Sequence, residues 1–86
     1  MVRVARSRLA RLLGLALRRD PPDWALLLPR TRSVHTLGMR FALDLIWLDR
    51  EGRAVRVDTA VPRNRFRACR RAVAVCEIPN ANPRAG

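Results

Sequence analysis

The sequence predicts a small, mainly β domain of the α+β class: a compact antiparallel sheet, closed as a sandwich or a partly open barrel, with one short N-terminal helix. Three observations predict it. Phe41 to Leu48 is an apolar run that supplies side chains to both faces of a strand, as expected for a strand in the middle of a sheet. Asp49-Arg-Glu-Gly52 is a polar turn ending in glycine between two strand-like runs, which reads as a hairpin. Arg53 to Val61 then alternates apolar and polar residues, the period of a half-buried return strand. With 86 residues, 49% of them apolar and 29% charged, the composition is globular and the length allows one core. Residues 1–79 therefore read as a single domain and 80–86 as a polar tail.

Taken in order, Met1 to Arg19 places Leu9, Leu12, Leu13, Ala16 and Leu17 on one helical face, with Ser7 as N-cap and most arginines off that face. A helix packed on the sheet is the reading preferred over an interfacial membrane helix. A signal peptide fits poorly, because the apolar core is short, interrupted by Arg11 and followed by Arg18-Arg19. No stretch approaches the ~20 apolar residues of a membrane span, so no transmembrane segment is expected. Asp20-Pro-Pro-Asp23 is a loop, and Trp24 to Leu28 is a short buried strand stopped by Pro29.

Ser33 to Thr36 alternates polar and apolar residues, and Gly38 permits a bend before the central strand. On that strand Phe41, Leu43, Leu45 and Trp47 share one face, and Ala42, Ile46 and Leu48 the other. Asp44 is the exception: a carboxylate there must be hydrogen-bonded, paired with arginine, or sited at an opening of the core. On the return strand Val55, Val57, Thr59 and Val61 are expected to face the core, with Arg56, Asp58 and Ala60 facing water. Arg63 to Arg71 is read as a basic loop holding five arginines, Phe66 and no carboxylate, and Ala72 to Ile78 as the last strand.

The run Ser33-Val-His-Thr-x-Gly-Met-Arg-Phe-x-Leu-Asp44, followed by the apolar strand, Asp49 and the Gly52 turn, resembles a family known as domain of unknown function 192. Arg11 to Leu15, Leu26 to Pro29 and Val73 to Ile78 resemble further segments of that family, so that the likeness covers most of residues 9 to 79. It implies a compact, mostly antiparallel β fold, and no activity. Family members usually continue from the last strand through a Gly-containing turn into a further segment, whereas here Ile78 leads to Pro-Asn-Ala-Asn-Pro-Arg-Ala-Gly. The resemblance thus implies a shortened C-terminus, and an unpaired sheet edge able to form a homodimer is expected. Many relatives carry an export signal; none is read here, which points to the cytoplasm.

Charge is the strongest compositional signal: 18 basic residues, all arginine, against 7 acidic ones, net +11. Codon bias explains arginine in place of lysine but not the excess, so anionic partners are indicated. Cys69 and Cys76 lack the companions and spacing of a zinc site, and no metal or cofactor motif is present. Three functions compete. The first is a binding or structural module, with Ser33, His35, Thr36, Arg40 and Asp44 lining a small pocket or edge groove, or tying loops together. The second is a nucleic-acid or polyanion-binding module using Arg63, Arg65, Arg67, Arg70 and Arg71, with Phe66 stacking on a base. The third, ranked last, is a hydrolase using Ser33, His35 and Asp44. Residues two apart on a strand lie ~6.6 Å apart at the backbone, a poor nucleophile-to-base arrangement.

Overall fold

The computed structural model describes residues 2–5, 24–37 and 39–80. These residues form seven strands: β1 (Val2–Val4), β2 (Ala25–Pro29), β3 (Ser33–His35), β4 (Ala42–Leu48), β5 (Ala54–Val61), β6 (Phe66–Ala68) and β7 (Ala74–Asn80). Five form one sheet in the order β1-β2-β7-β4-β5, and β3 pairs with β6 in a second, two-stranded sheet. All pairings are antiparallel except β1 with β2.

The α+β class is corrected by this architecture: the described residues are all β. The short N-terminal helix is not seen among them: Val2–Val4, ahead of the Ser7 cap, forms strand β1. The Val-Arg-Val alternation suits a strand, β2 offers an open edge, and the Ala5 N–H extends the ladder to the Leu27 carbonyl at 2.9 Å. The Ser7 cap and the leucine stripe from Leu9 lie outside the described residues. Phe66–Ala68, read as part of a basic loop, is also a strand.

The closing strand β7 lies inside the sheet, bonded to β2 on one side and β4 on the other. Among the described strands the outer positions of the large sheet are therefore held by β1 and β5 rather than by β7. Between Asp49 and Arg53 the hairpin closes as its sequence suggests. The Asp49 N–H donates to the Arg53 carbonyl at 2.9 Å and the Gly52 N–H to the Asp49 carbonyl at 3.0 Å. Gly52 has φ 80°, a left-handed conformation that glycine adopts without steric cost.

One face of the large sheet makes the core. Leu26, Leu28, Val75, Leu43, Leu45, Trp47 and Val61 are buried there, joined by Trp24, Met39 and Phe41 and by Val34 of the small sheet. The other face is apolar too, but only half covered: Leu27, Ile46, Leu48, Cys76 and Ile78 are half-buried, while Val2, Val4 and Val57 are exposed. Burial also pushes the Cys76 thiol above its ordinary value of 9.0, helped by the neighbouring Glu77 charge. It therefore stays protonated at neutral pH.

The expected alternation of the return strand fails at two bulges. Leu43 pairs with Val61 and Leu45 with Asp58, and Trp47 pairs with Arg56 and Leu48 with Ala54. In each interval β5 holds one extra residue, and each extra residue reverses the phase of the strand. As a result Val57 points outward, while Arg56 and Asp58 come to the side of Trp47. There the Trp47 indole N–H donates to Asp58 Oδ2 at 2.9 Å. Arg56 grips the same carboxylate through Nε (3.1 Å) and Nη2 (2.7 Å), and its guanidinium lies 5.4 Å from the Trp47 ring centre.

These bonds make stability depend on pH. The Arg56 hydrogen bonds, with the Trp47 N–H adding to them, hold Asp58 below the ordinary 3.8 despite the opposing effect of burial. A depressed folded-state pKa contributes stability that is complete above the ordinary value and is lost as pH falls through the folded one. Acid titration of Asp58→Asn is expected to show a shallower loss of stability below about pH 4 than the parent shows, and at neutral pH the variant is expected to be about 1–2 kcal/mol less stable. Urea unfolding at pH 3 and pH 7 checks both.

Candidate functional site

The corner between β5 and β6, residues 60–65, is where the sequence motif does its structural work. Ala60 and Asn64 have φ 54° and 63°; asparagine tolerates that conformation, whereas alanine carries a steric cost of about 1–2 kcal/mol. Asp44 stands opposite the first bulge, and its Oδ1 accepts the Ala60 N–H at 2.7 Å and the Asn80 side-chain amide at 3.1 Å. The carboxylate thus receives the amide that the bulge turns out of the ladder. At the other end of the corner Thr36 is 1% exposed. Its hydroxyl donates to the Pro62 carbonyl at 2.7 Å and accepts the Arg65 N–H at 2.8 Å. Its backbone N–H donates to the Arg65 carbonyl at 2.8 Å, and its carbonyl accepts the Asn64 N–H at 3.1 Å. Thr36 and Asp44 therefore hold one corner from its two ends.

That corner delivers β6 to β3. In the small sheet Ser33 pairs with Ala68, Val34 with Arg67 and His35 with Phe66. Directly opposed residues share a face, so His35 and Phe66 stand side by side with Ser33 and Ala68 on the outward face, while Val34 turns into the core. Phe66 is 65% exposed, an unusual setting for phenylalanine on a strand. Ser33, His35 and Arg40 are also exposed. Asp44 is not with them: its neighbours are Ala60 and Asn80, and strand alternation puts it with Ile46 on the far face of the large sheet.

The arginines gather about Phe66. Arg63 and Arg65 enter β6, Arg67 follows, and the Arg67 and Arg65 guanidinia bond to the Phe66 and Asn64 carbonyls at 2.8 and 3.2 Å. Arg70 and Arg71 lie in the next turn, where Arg71 reaches sideways to the Val55 carbonyl at 3.2 Å. The sequence reading missed the contribution of the β2–β3 turn. Arg32 Nε donates to the Ala72 carbonyl at 3.1 Å, and the Arg32 carbonyl accepts the Cys69 N–H at 2.8 Å. This brings Arg30 and Arg32 into the same basic region. A signal was present: residues 30–43 and 59–76 contain eight arginines and no carboxylate, and the β3–β6 pairing joins the two segments. Arg56 and Asp58, both described, form an ion pair that lies outside both segments.

A second group went unmarked by the sequence reading. Glu77 is fully buried in β7, flanked in register by Leu26 and Leu45. An acid two residues from Val75 on a strand paired on both sides was its available signal. Among the described residues no cluster of three or more His, Cys, Asp or Glu is placed to hold a metal ion, and no helix is long and apolar enough to cross a membrane.

Comparison with known proteins agrees with this architecture. The chain is similar in fold to a crystal structure of a protein of unknown function from Novosphingobium aromaticivorans, with a TM-score of 0.75 and 17% sequence identity over 92% of this chain and 62% of that one. It therefore spans less than two thirds of the length of that relative. No curated protein matches it. The family model described as DUF192, Uncharacterized ACR, COG1430, matches residues 1–82, and the chain, a small β domain, belongs to that family.

Proposed function

We propose that the outward face of the β3–β6 sheet binds single-stranded nucleic acid. The observation that carries this reading is the joining of two acid-free, arginine-rich segments around an exposed phenylalanine. Bases stack on aromatic faces with little regard to sequence, and guanidinium forks pair with phosphate oxygens on either side. The two segments carry eight arginines and no carboxylate of their own, so the field they set up is positive. In this reading Phe66 and His35 form the stacking surface, Arg40, Arg63, Arg65 and Arg70 contact phosphates, and Ser33 lies at its margin. Thr36 and Asp44 position the corner that presents Phe66. The cytoplasm, where thiols such as those of Cys69 and Cys76 stay reduced, is the compartment that suits it.

The test is a binding isotherm on a short labelled single strand at several salt concentrations. Engagement of four or five phosphates predicts a slope of log K against log salt of roughly −3. Phe66→Ala is expected to weaken binding about tenfold, since one stacked base contributes ~1–3 kcal/mol, without lowering the melting temperature. Binding that ignores salt, or that survives Phe66→Ala unchanged, would sink the reading.

A further inference from the structure

We propose that the depression between the β2–β3 turn and the β6–β7 turn is a phosphoryl-binding site, with Arg30 and Arg32 as its ligands. It is open, about 430 Å³ in volume, and lined by Arg30, Arg32 and Val73, within the size range of small-molecule sites. The walls are fastened to each other. The Thr31 N–H donates to the Val73 carbonyl at 3.1 Å, the Cys69 N–H to the Arg32 carbonyl at 2.8 Å, and the Thr31 hydroxyl to the Pro29 carbonyl at 3.0 Å.

Each arginine is held in a way that suits an oxyanion. Arg32 spends its Nε–H on the Ala72 carbonyl, which fixes the guanidinium plane and leaves the terminal nitrogens for a bidentate partner. Arg30 has φ 51°, where glycine or asparagine would fit with less strain. Strain of this kind collects at ligand clamps; here it holds a charged side chain at the mouth of the depression. An acidic segment, the β4–β5 hairpin, is linked to this turn through the Val73 N–H bond to the Leu48 carbonyl. In that hairpin Asp49 Oδ1 is occupied by the Glu51 and Arg53 amides.

The proposal stands apart from the stacking role of Phe66. The phosphoryl group belongs either to a free small molecule or to a strand lying on Phe66. The Ser33–Ala68 pair beside the depression is two residues, ~7 Å, from the His35–Phe66 pair.

The experiment is an NMR titration of the full chain with inorganic pyrophosphate, following the Arg32 Nε–H and the Thr31 and Val73 amides, with sodium chloride at equal ionic strength as control. Saturable shifts confined to pyrophosphate are expected. Arg30→Gly is expected to weaken binding about tenfold or more while the melting temperature is held or raised. Arg32→Lys, which keeps the charge but loses the fork, is expected to weaken it as well. Equal shifts with chloride, or unchanged pyrophosphate affinity in folded Arg30→Gly, would overturn the site. An oligonucleotide that moves Phe66 and Thr31 together identifies a strand as the source of the phosphoryl group. Saturable pyrophosphate binding with Phe66 unmoved by oligonucleotide supports the site while the nucleic-acid reading fails. Oligonucleotide shifts at Phe66 without a pyrophosphate response overturn the site alone.

Discussion

Thr36→Val is expected to destabilise the protein by about 2–4 kcal/mol, the combined effect of leaving a carbonyl and an amide of the corner without their partner. Valine matches threonine closely in volume, so the core around residue 36, which is 1% exposed, keeps its packing and the change isolates the hydroxyl. That hydroxyl bonds the Pro62 carbonyl and the Arg65 amide, and neither group has another bond in the corner as short. For a domain of this size the loss corresponds to a fall in Tm of roughly 10–25 °C. Thr36→Ser, which restores the hydroxyl, is expected to recover most of the loss. Equal loss in serine and valine variants would show that the methyl group, not the hydrogen bonds, is what matters.

The second large effect is expected at Asp44. Asp44→Ala removes the acceptor of the Ala60 and Asn80 donors and is expected to cost about 2–3 kcal/mol, since bonds to a carboxylate are stronger than neutral ones. Asp44→Asn keeps an oxygen able to accept the Ala60 amide and is expected to cost about half as much. Because Ala60 already carries left-handed strain, the loss should be concentrated at the bulge. Hydrogen exchange checks this: faster exchange at Ala60 and Val61 with β2 and β7 protected is the expected pattern. Uniform acceleration over the whole sheet would mean that Asp44 supports the entire fold rather than the corner.

These two residues show how far the sequence could be read. Asp44 stood out as a carboxylate in an apolar strand, and the options set for it included the hydrogen bonds it makes. Its partner could not be inferred, because a bulge has no signature in the alternation of Arg53 to Val61. The pattern predicted Val57 inside, and the one extra residue between Asp58 and Val61 turned it out to 54% exposure. The Asp49–Gly52 hairpin was legible because its chemistry is local. Strand β6 was not: Phe66-Arg67-Ala68, inside an arginine-rich run, forms a strand only because β3 lies alongside, a tertiary influence that propensity does not contain. The same holds for β1, three residues that form a strand through their pairing with β2.

The site was legible in composition and hidden in arrangement. An acid-free run with five arginines and Phe66 could be seen in residues 63–71. That His35 would stand beside Phe66, and that Arg30 and Arg32 would join from forty residues away, depended on the β3–β6 register and on the bond from Arg32 to Ala72. Conversely, Thr36 and Asp44, grouped by sequence with Ser33, His35 and Arg40, are engaged in holding the corner.

The most direct test of the account is an amide NMR footprint of the isotopically labelled chain titrated with a short unlabelled single strand. The account predicts shifts at His35, Arg65, Phe66 and Arg67, with Ile46, Val57 and Ile78 on the far face of the large sheet unmoved. Shifts confined to that far face, or none anywhere at low salt, would contradict it.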